Sequence, residues 1–293
     1  MRIVFIGAVE FSARMLAKLI AIKAEVVGVV TKDRSKFNSD FCDLTPLCDK
    51  ANIPYRFAVD INTRETTDWI KSLNPDVIFC FGWSNLIKQE LLNLTEIGVI
   101  GFHPTNLPQN RGRHPIIWTL VLGLSKTAST FFIMDDGVDS GDILSQIPIN
   151  VSYEDNARSL YNKIASTAES QLEQLCDELK YRKLTRFKQN DRQANYWRKR
   201  DEHDGLIRFN MSSMAIYNLV RALSKPYVGA HLIYNSKKVI VWKINEMPCE
   251  ANNIEFGKIL AVSDNSIDVK CYDGGIRILK HEFKTLPKVG EYI

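Results

Sequence analysis

The 293-residue chain carries 38 basic and 34 acidic residues, a formal charge of +4, and 45% hydrophobic residues, an ordinary balance for a soluble protein with one large core or two domains. That charge suits an anionic ligand but demands no nucleic acid. No stretch approaches the ~18 apolar residues of a membrane span and the N-terminal apolar run is too short for a secretory signal, so a cytoplasmic protein is expected. Six scattered cysteines without metal or disulfide spacing point the same way, to reduced thiols.

Residues 2–6 form an apolar run ending at Gly7, which predicts a strand buried on both faces and hence a parallel sheet. Phe11, Met15, Leu16, Leu19 and Ile20 follow at helical spacing, and residues 26–30 give a β-branched run that completes a βαβ unit. The turn Gly7-Ala8-Val9-Glu10-Phe11-Ser12 lacks the second and third glycines that let a pyrophosphate approach the backbone, which argues against a dinucleotide site. Lys32, Arg34 and Lys36 make residues 31–41 a basic, solvated loop. Leu44, Leu47 and Cys48 predict a helix, Ile70 and Leu73 close another, and residues 77–81 are again a buried strand. Gly82-Trp83-Ser84-Asn85 interrupts that run; the glycine lets backbone approach a flat ligand, and Trp83 either stacks on one or caps the core. A helix is predicted over 86–93.

An apolar run from Ile97 to Phe102 then delivers His103 into a segment that Pro104, Pro108 and Gly112 keep out of regular structure. Arg111 and Arg113 follow, and the apolar run opening at Pro115 predicts a helix, proline being suited to a first turn. Ligands of open α/β sheets bind beyond the carboxyl ends of strands, so this histidine loop and arginine pair mark the expected site. Residues 127–134 read as a central strand and 143–149 as another, joined by Asp135-Asp136-Gly137-Val138-Asp139-Ser140-Gly141-Asp142. The aspartates do not match the spacing of a calcium loop, so no metal is expected and a loop supplying one functional carboxylate is the more economical expectation. Residues 154–180 carry a long amphipathic helix with Ser152 and Asp155 as cap candidates. The charge-dense segment 181–204 predicts a linker or crossing loop, in which packing of Tyr196 and Trp197 is preferred to stacking of a base. After a helix over 212–224, short apolar runs between polar turns predict a small β domain or barrel.

His103-Pro104-Thr105-Asn106-Leu107-Pro108, Arg111-Gly112-Arg113 and Asp139-Ser140-Gly141-Asp142, in that order, resemble the formyltransferases that use 10-formyltetrahydrofolate. The likeness covers nearly the whole chain, from Phe5-Ile6-Gly7 through Pro75-Asp76-Val77-Ile78 to Asn218-Leu219-Val220-Arg221-Ala222-Leu223 and Pro226-Tyr227-Val228-Gly229-Ala230. It implies an α/β fold: a Rossmann-like, mostly parallel sheet with helices on both faces in a catalytic domain over 1–190, then a small C-terminal α+β or barrel-like domain over 191–293. It implies His103 and Asp139 as catalytic residues; the family's third, an asparagine two before the histidine, falls on Gly101. It further implies a folate cleft between a loop of Trp83, Asn85, Leu86 and Ile87 and a loop of Asp135, Asp136, Gly137 and Val138, held largely through backbone groups, with Arg113 near the donor.

Such a site must let an amine attack the formyl carbon, remove its proton and hold an oxyanion. His103 can take or relay the proton and Asp139 can orient its ring. With Gly101 in the asparagine's place, the oxyanion donors are protonated His103, the Asn106 amide or a water, and His103 is expected to dominate. Arg111-Gly112-Arg113 and Trp118 look most like the branch that formylates nucleoside-diphosphate-linked amino sugars for bacterial surface polysaccharide such as O-antigen. Methionyl-tRNA formyltransferase is the alternative, but Lys32, Arg34 and Lys36, offset by Asp33 and Asp40, are thin provision for phosphate contacts. A non-catalytic folate or nucleotide module, motivated by Gly101, is the third. Neither a nucleic-acid nor a membrane partner is expected, and the resemblance leaves a homodimer open.

Overall fold

The computed structural model of the chain describes residues 1–34 and 39–293; Lys36, one cation of the expected basic loop, lies outside them. In chain order, Arg2–Ile6 is β1, Glu10–Ala21 α1, Glu25–Thr31 β2, Thr45–Ala51 α2, Tyr55–Phe57 β3, Arg64–Ser72 α3, Val77–Cys80 β4, Gln89–Leu92 α4 and Val99–His103 β5. Arg111–Gly112 (β6), Pro115–Val121 (α5), Lys126–Ile133 (β7), Ile143–Asn150 (β8), Ala157–Lys180 (α6) and Tyr196–Trp197 (β9) come next. Ser213–Leu223 (α7) then precedes Ala230–Tyr234, Lys237–Met247, Ile259–Ser263, Ser266–Lys270 and Gly275–His281, which are β10 to β14. The elements fall into two compact units: Met1–Pro115, Thr127–Asn150 and Asn162–Trp197 make one, and Ile116–Lys126, Val151–Tyr161 and Arg198–Ile293 the other.

The first unit holds a seven-stranded sheet ordered β3-β2-β1-β4-β5-β7-β8. Its first five strands pair in parallel, as the continuous apolar runs require of strands covered on both faces. On one face Val4, Ile6, Ile78, Cys80 and Val99 pack with Ile70 of α3 and Leu91 of α4. The other face is aromatic: Phe81 meets Phe5 and Phe131 edge-on at 5.7 and 5.3 Å, Phe131 meets Phe102 at 5.0 Å, and Phe11 of α1 stacks on Phe102 at 4.3 Å. Removing each such ring from water contributes about 1.5–3 kcal/mol.

Two local expectations are corrected, the extent of the helix over 86–93 and the cap of the long helix, and one strand gains a direction. The strand expected over 127–134 lies inside the sheet, between β5 and β8, but runs antiparallel to β5. The helix expected over 86–93 shrinks to α4, because the Asn62 side chain holds the preceding backbone extended: its amide donates to Leu86 O and its carbonyl accepts from Lys88 N–H. The long helix is capped by Asn156, whose Oδ1 accepts from the N–H groups of Arg158 and Ser159, while Asp155 closes the preceding turn by accepting from Ser152 N–H.

The second unit is a five-stranded antiparallel sheet ordered β10-β11-β14-β13-β12. Ser212 caps α7 by accepting from Ala215 N–H, and the helix buries Ile216, Leu219, Val220 and Leu223. Arg221 on the same helix is buried, and its guanidinium donates to the carbonyls of Ser152, Tyr153 and Asp155. No helix among the described residues is long and apolar enough to cross a membrane.

Candidate active site

Strand alternation aims the histidine. Phe102 points into the aromatic face, so His103 points to the opposite side at the carboxyl end of β5, where it is only 5% exposed. The loop that follows is pinned by the neighbouring strands. Thr127 donates to Pro104 O, Thr130 to Thr105 O, and the Gln146 amide to Leu107 O. A reactive ring held this way is set in place before any substrate arrives.

His103 Nδ1 lies 3.5 Å from Asp139 Oδ2, and Nε2 lies 2.8 Å from the carbonyl oxygen of Asn110. A carbonyl can only accept, so Nε2 carries a hydrogen and the neutral ring keeps its lone pair at Nδ1, facing the carboxylate. A proton gained at Nδ1 therefore faces the Asp139 carboxylate. Asp139 Oδ2 is fixed in turn by accepting from Gly112 N–H at 2.8 Å. Asn110, Gly112, His114 and Asp139 all hold left-handed backbone, at φ of 65°, 108°, 55° and 53°. Such costly conformations persist where surrounding contacts enforce them. Gly112 is obligatory on a second count, since a Cβ there would sit 2.4 Å from Trp197 O.

The arginine pair splits into two different roles. Arg111 is 1% exposed and donates to Gln189 Oε1 through Nε and Nη2, to Asp191 through Nη2 and to the Tyr196 hydroxyl through Nη1. Gln189 in turn donates from its amide to the carbonyls of Asp139 and Gly141. Arg111 is thus a buried brace for the carboxylate loop. Arg113 instead donates to Ser84 O at 3.1 Å, joining the histidine segment to the Trp83 loop. Tyr196 and Trp197, read as packing residues, pair as β9 in parallel with β6.

The Gly101 position is closed rather than vacant. A Cβ there would lie 2.8 Å from Met134 Cγ and 3.0 Å from Phe132 Cζ. The side chain of Asn106, the other candidate amide, is exposed, and among the described residues no hydrogen bond links it to His103 or Asp139.

Of the expected folate loop, Trp83 is half-buried against the apolar core face and its indole N–H is buried without a hydrogen-bond partner among the described residues. The Lys32 ammonium lies 4.5 Å from the Trp83 ring centre, and burial lowers its pKa. Asn85 donates to Val59 O, Leu86 is 74% exposed, and Ile87 is buried in the core. Across from them, Asp135 folds back on its own loop, accepting from Gly137 N–H and the Ser140 hydroxyl, while Asp136 meets the Gln89 amide and Val138 is exposed. Sequence reasoning missed Asn110 and Gln189. Asn110 carried only the turn propensity of its residue type, and Gln189 stood unmarked in a charged segment.

Residues 1–175 match the formyl transferase family and residues 199–289 its C-terminal domain. Methionyl-tRNA formyltransferase of Clostridioides difficile strain 630 is 31% identical over all of this chain and 96% of its own. An N-formyltransferase from Helicobacter canadensis, in complex with folinic acid and dTDP-3-aminofucose, has the same fold at a TM-score of 0.72 and 18% identity, covering 95% of this chain and 98% of its own. HypX from Aquifex aeolicus in complex with tetrahydrofolic acid superposes at 0.66 and 17% identity over 95% of this chain, which spans 43% of it.

Proposed function

The chain belongs to the formyl transferase family, and on that premise we propose that it transfers the formyl group of 10-formyltetrahydrofolate to the amine of a nucleoside-diphosphate-linked amino sugar in the cytoplasm. The observation that carries the chemistry is the pairing of His103 Nδ1 with Asp139 at the end of β5. As the sugar amine bonds to the formyl carbon, its nitrogen becomes acidic and His103 Nδ1 takes the proton, Asp139 stabilising the resulting imidazolium. The positive charge of this ring then offsets the oxyanion of the tetrahedral intermediate through space, both ring N–H groups being engaged by Asn110 O and Asp139. Collapse breaks the bond to the folate nitrogen, which takes the proton from His103 as tetrahydrofolate leaves, returning the ring to its neutral form.

Two features of the Trp83 loop support a folate beside it. Its buried, unpartnered indole N–H offers a donor to a heterocyclic nitrogen or carbonyl, and Arg113 ties the loop to the histidine segment. A sugar acceptor is favoured because the described cations of the 31–41 loop are few and partly offset. Lys32 lies over Trp83, and Arg34 is 3.8 Å from Asp33. The Helicobacter canadensis enzyme, which shares this fold, was solved with a nucleotide-linked amino sugar.

A second reading, methionyl-tRNA formylation, is favoured by full-length similarity to the Clostridioides difficile enzyme. Incubating the purified protein with 10-formyltetrahydrofolate, a panel of nucleotide amino sugars and charged initiator tRNA separates the two. A mass gain of one formyl group on a sugar is expected. Formylation of tRNA alone overturns the sugar assignment, and folate that stays unconsumed with every acceptor overturns the enzyme assignment.

A further inference from the structure

A cleft of about 860 Å3 opens within the second unit, whereas His103, Asp139 and their supports all belong to the first. Its walls include Tyr153 and Arg158 near the start of α6, Tyr217 of α7, Lys243 of β11 and Lys280 of β14. Two features of it stand out, one of which works against folding stability. Lys243 and Lys280 stand directly opposite each other in the β11–β14 ladder, an arrangement of like charges that is destabilising. Neither ammonium has a carboxylate within ion-pair distance among the described residues. The register also shifts on both sides of Lys243, and residues 242–246 line the cleft consecutively, where a regular strand would present alternate positions.

The remaining lining supplies what a nucleotide needs. Tyr153 and Tyr217 stack face to face at 4.6 Å with 9° between their planes, and Tyr153 is 45% exposed. The Arg221 guanidinium backs this pair, 5.6 Å from the Tyr217 ring. Of the three carboxylates in the lining, Glu246 accepts from the hydroxyls of Tyr153 and Ser213 and Glu282 from the Trp242 indole N–H, Glu154 being the third, and Arg158, Arg221, Lys225, Lys243 and Lys280 outnumber them. Positive charge therefore dominates beside an aromatic wall, in a volume typical of small-molecule sites.

We propose that this cleft binds a nucleoside diphosphate, its phosphates between Lys243 and Lys280 and its base on Tyr153, at a second nucleotide site separate from the transfer site. The phosphates relieve the lysine–lysine repulsion, and a base stacks on tyrosine whatever its hydrogen-bonding edge. A bare inorganic anion would make no use of the tyrosine wall.

The test is calorimetric titration of the intact protein with uridine and thymidine diphosphates, with inorganic pyrophosphate and tRNA as comparison probes, and formyl transfer followed separately. The expected result is a nucleoside diphosphate binding event that His103→Ala retains. It should weaken at least tenfold in Lys243→Glu/Lys280→Glu and weaken clearly in Tyr153→Ala. The gentler Lys243→Gln/Lys280→Gln pair, checked by thermal melting, keeps a folding defect from passing as a loss of the site. Nucleotide binding at full strength in the folded glutamine pair overturns the proposal, since that binding then belongs to the transfer site. Pyrophosphate binding as tightly as the nucleotides, with no effect of Tyr153→Ala, overturns it in favour of an anion site. Lysine-dependent binding of tRNA without any of nucleoside diphosphates overturns it in favour of a nucleic-acid surface. Absence of formyl transfer in every variant, with the lysine-dependent event intact, counts against the transfer reaction and leaves the second site supported.

Discussion

At the scale of single residues, the mechanism rests on one nitrogen. Because Nε2 is held by a carbonyl and Nδ1 faces Asp139, His103→Ala should lower kcat by about 10²- to 10⁴-fold with little change in the KM for folate, measured by steady-state formyl transfer. Asp139→Asn keeps an oxygen to accept from Gly112 N–H but loses the charge beside the ring. It should cut kcat by about 10²-fold, within the range of a proton-transfer contribution, and leave the melting temperature nearly unchanged. Gly101→Asn should not improve catalysis. It should destabilise by about 1–3 kcal/mol through overpacking, read by urea denaturation, with Met134→Ala in the same chain returning part of the loss. His103 stood out at the end of an apolar run, Asp139 only through the resemblance to the formyltransferases, and the structure brings the two together. The filling of the Gly101 site was not legible, because Met134 and Phe132 reach it only through the pairing of β7 with β5.

At the scale of elements, the periodic segments were the readable ones. The repeat from Phe11 to Leu19 became α1, and the run over 77–81 became β4. Strand direction was hidden, since a buried strand has the same composition in either orientation, and the antiparallel course of β7 had no signal in the sequence. The segment after α6 was the least readable and the most consequential. It looked like a charged connector, yet Gln189 bridges Arg111 to the backbone of Asp139. Gln189→Leu should leave buried donors of Arg111 unmatched and cost about 1–3 kcal/mol. Its kcat should fall as well, because the carboxylate loop loses its anchor. Denaturation and steady-state rates on the same variant check both effects.

At the scale of the whole molecule, acid should weaken the second unit in two stages. His231 is 6% exposed, and burial first, then Lys238 and His203, hold its pKa below the ordinary value, with Glu202 opposing. The unfolded chain therefore binds the extra proton more readily, so stability is full above about pH 6.5 and declines as pH falls below it. His281, also lowered by burial, adds to that decline. Asp204, held well below the usual carboxylate range by hydrogen bonds from Arg198, by Asp201 N–H and by nearby Arg200, contributes a separate loss only below about pH 4. Urea midpoints across this range should show both stages, and His231→Gln should shrink the upper one, leaving the His281 share of it and the lower stage in place. The division of the chain has a further consequence for biosynthesis. The first unit is completed only by Asn162–Trp197, while Ile116–Lys126 and Val151–Tyr161, made earlier, belong with Arg198–Ile293. On the ribosome, Asp139 is synthesised well before Gln189 and Trp197, so a nascent or prematurely terminated chain carries His103 and Asp139 without the brace that fixes the carboxylate loop. Translation past Trp197, rather than past Asp139, is the point at which the site can first assemble.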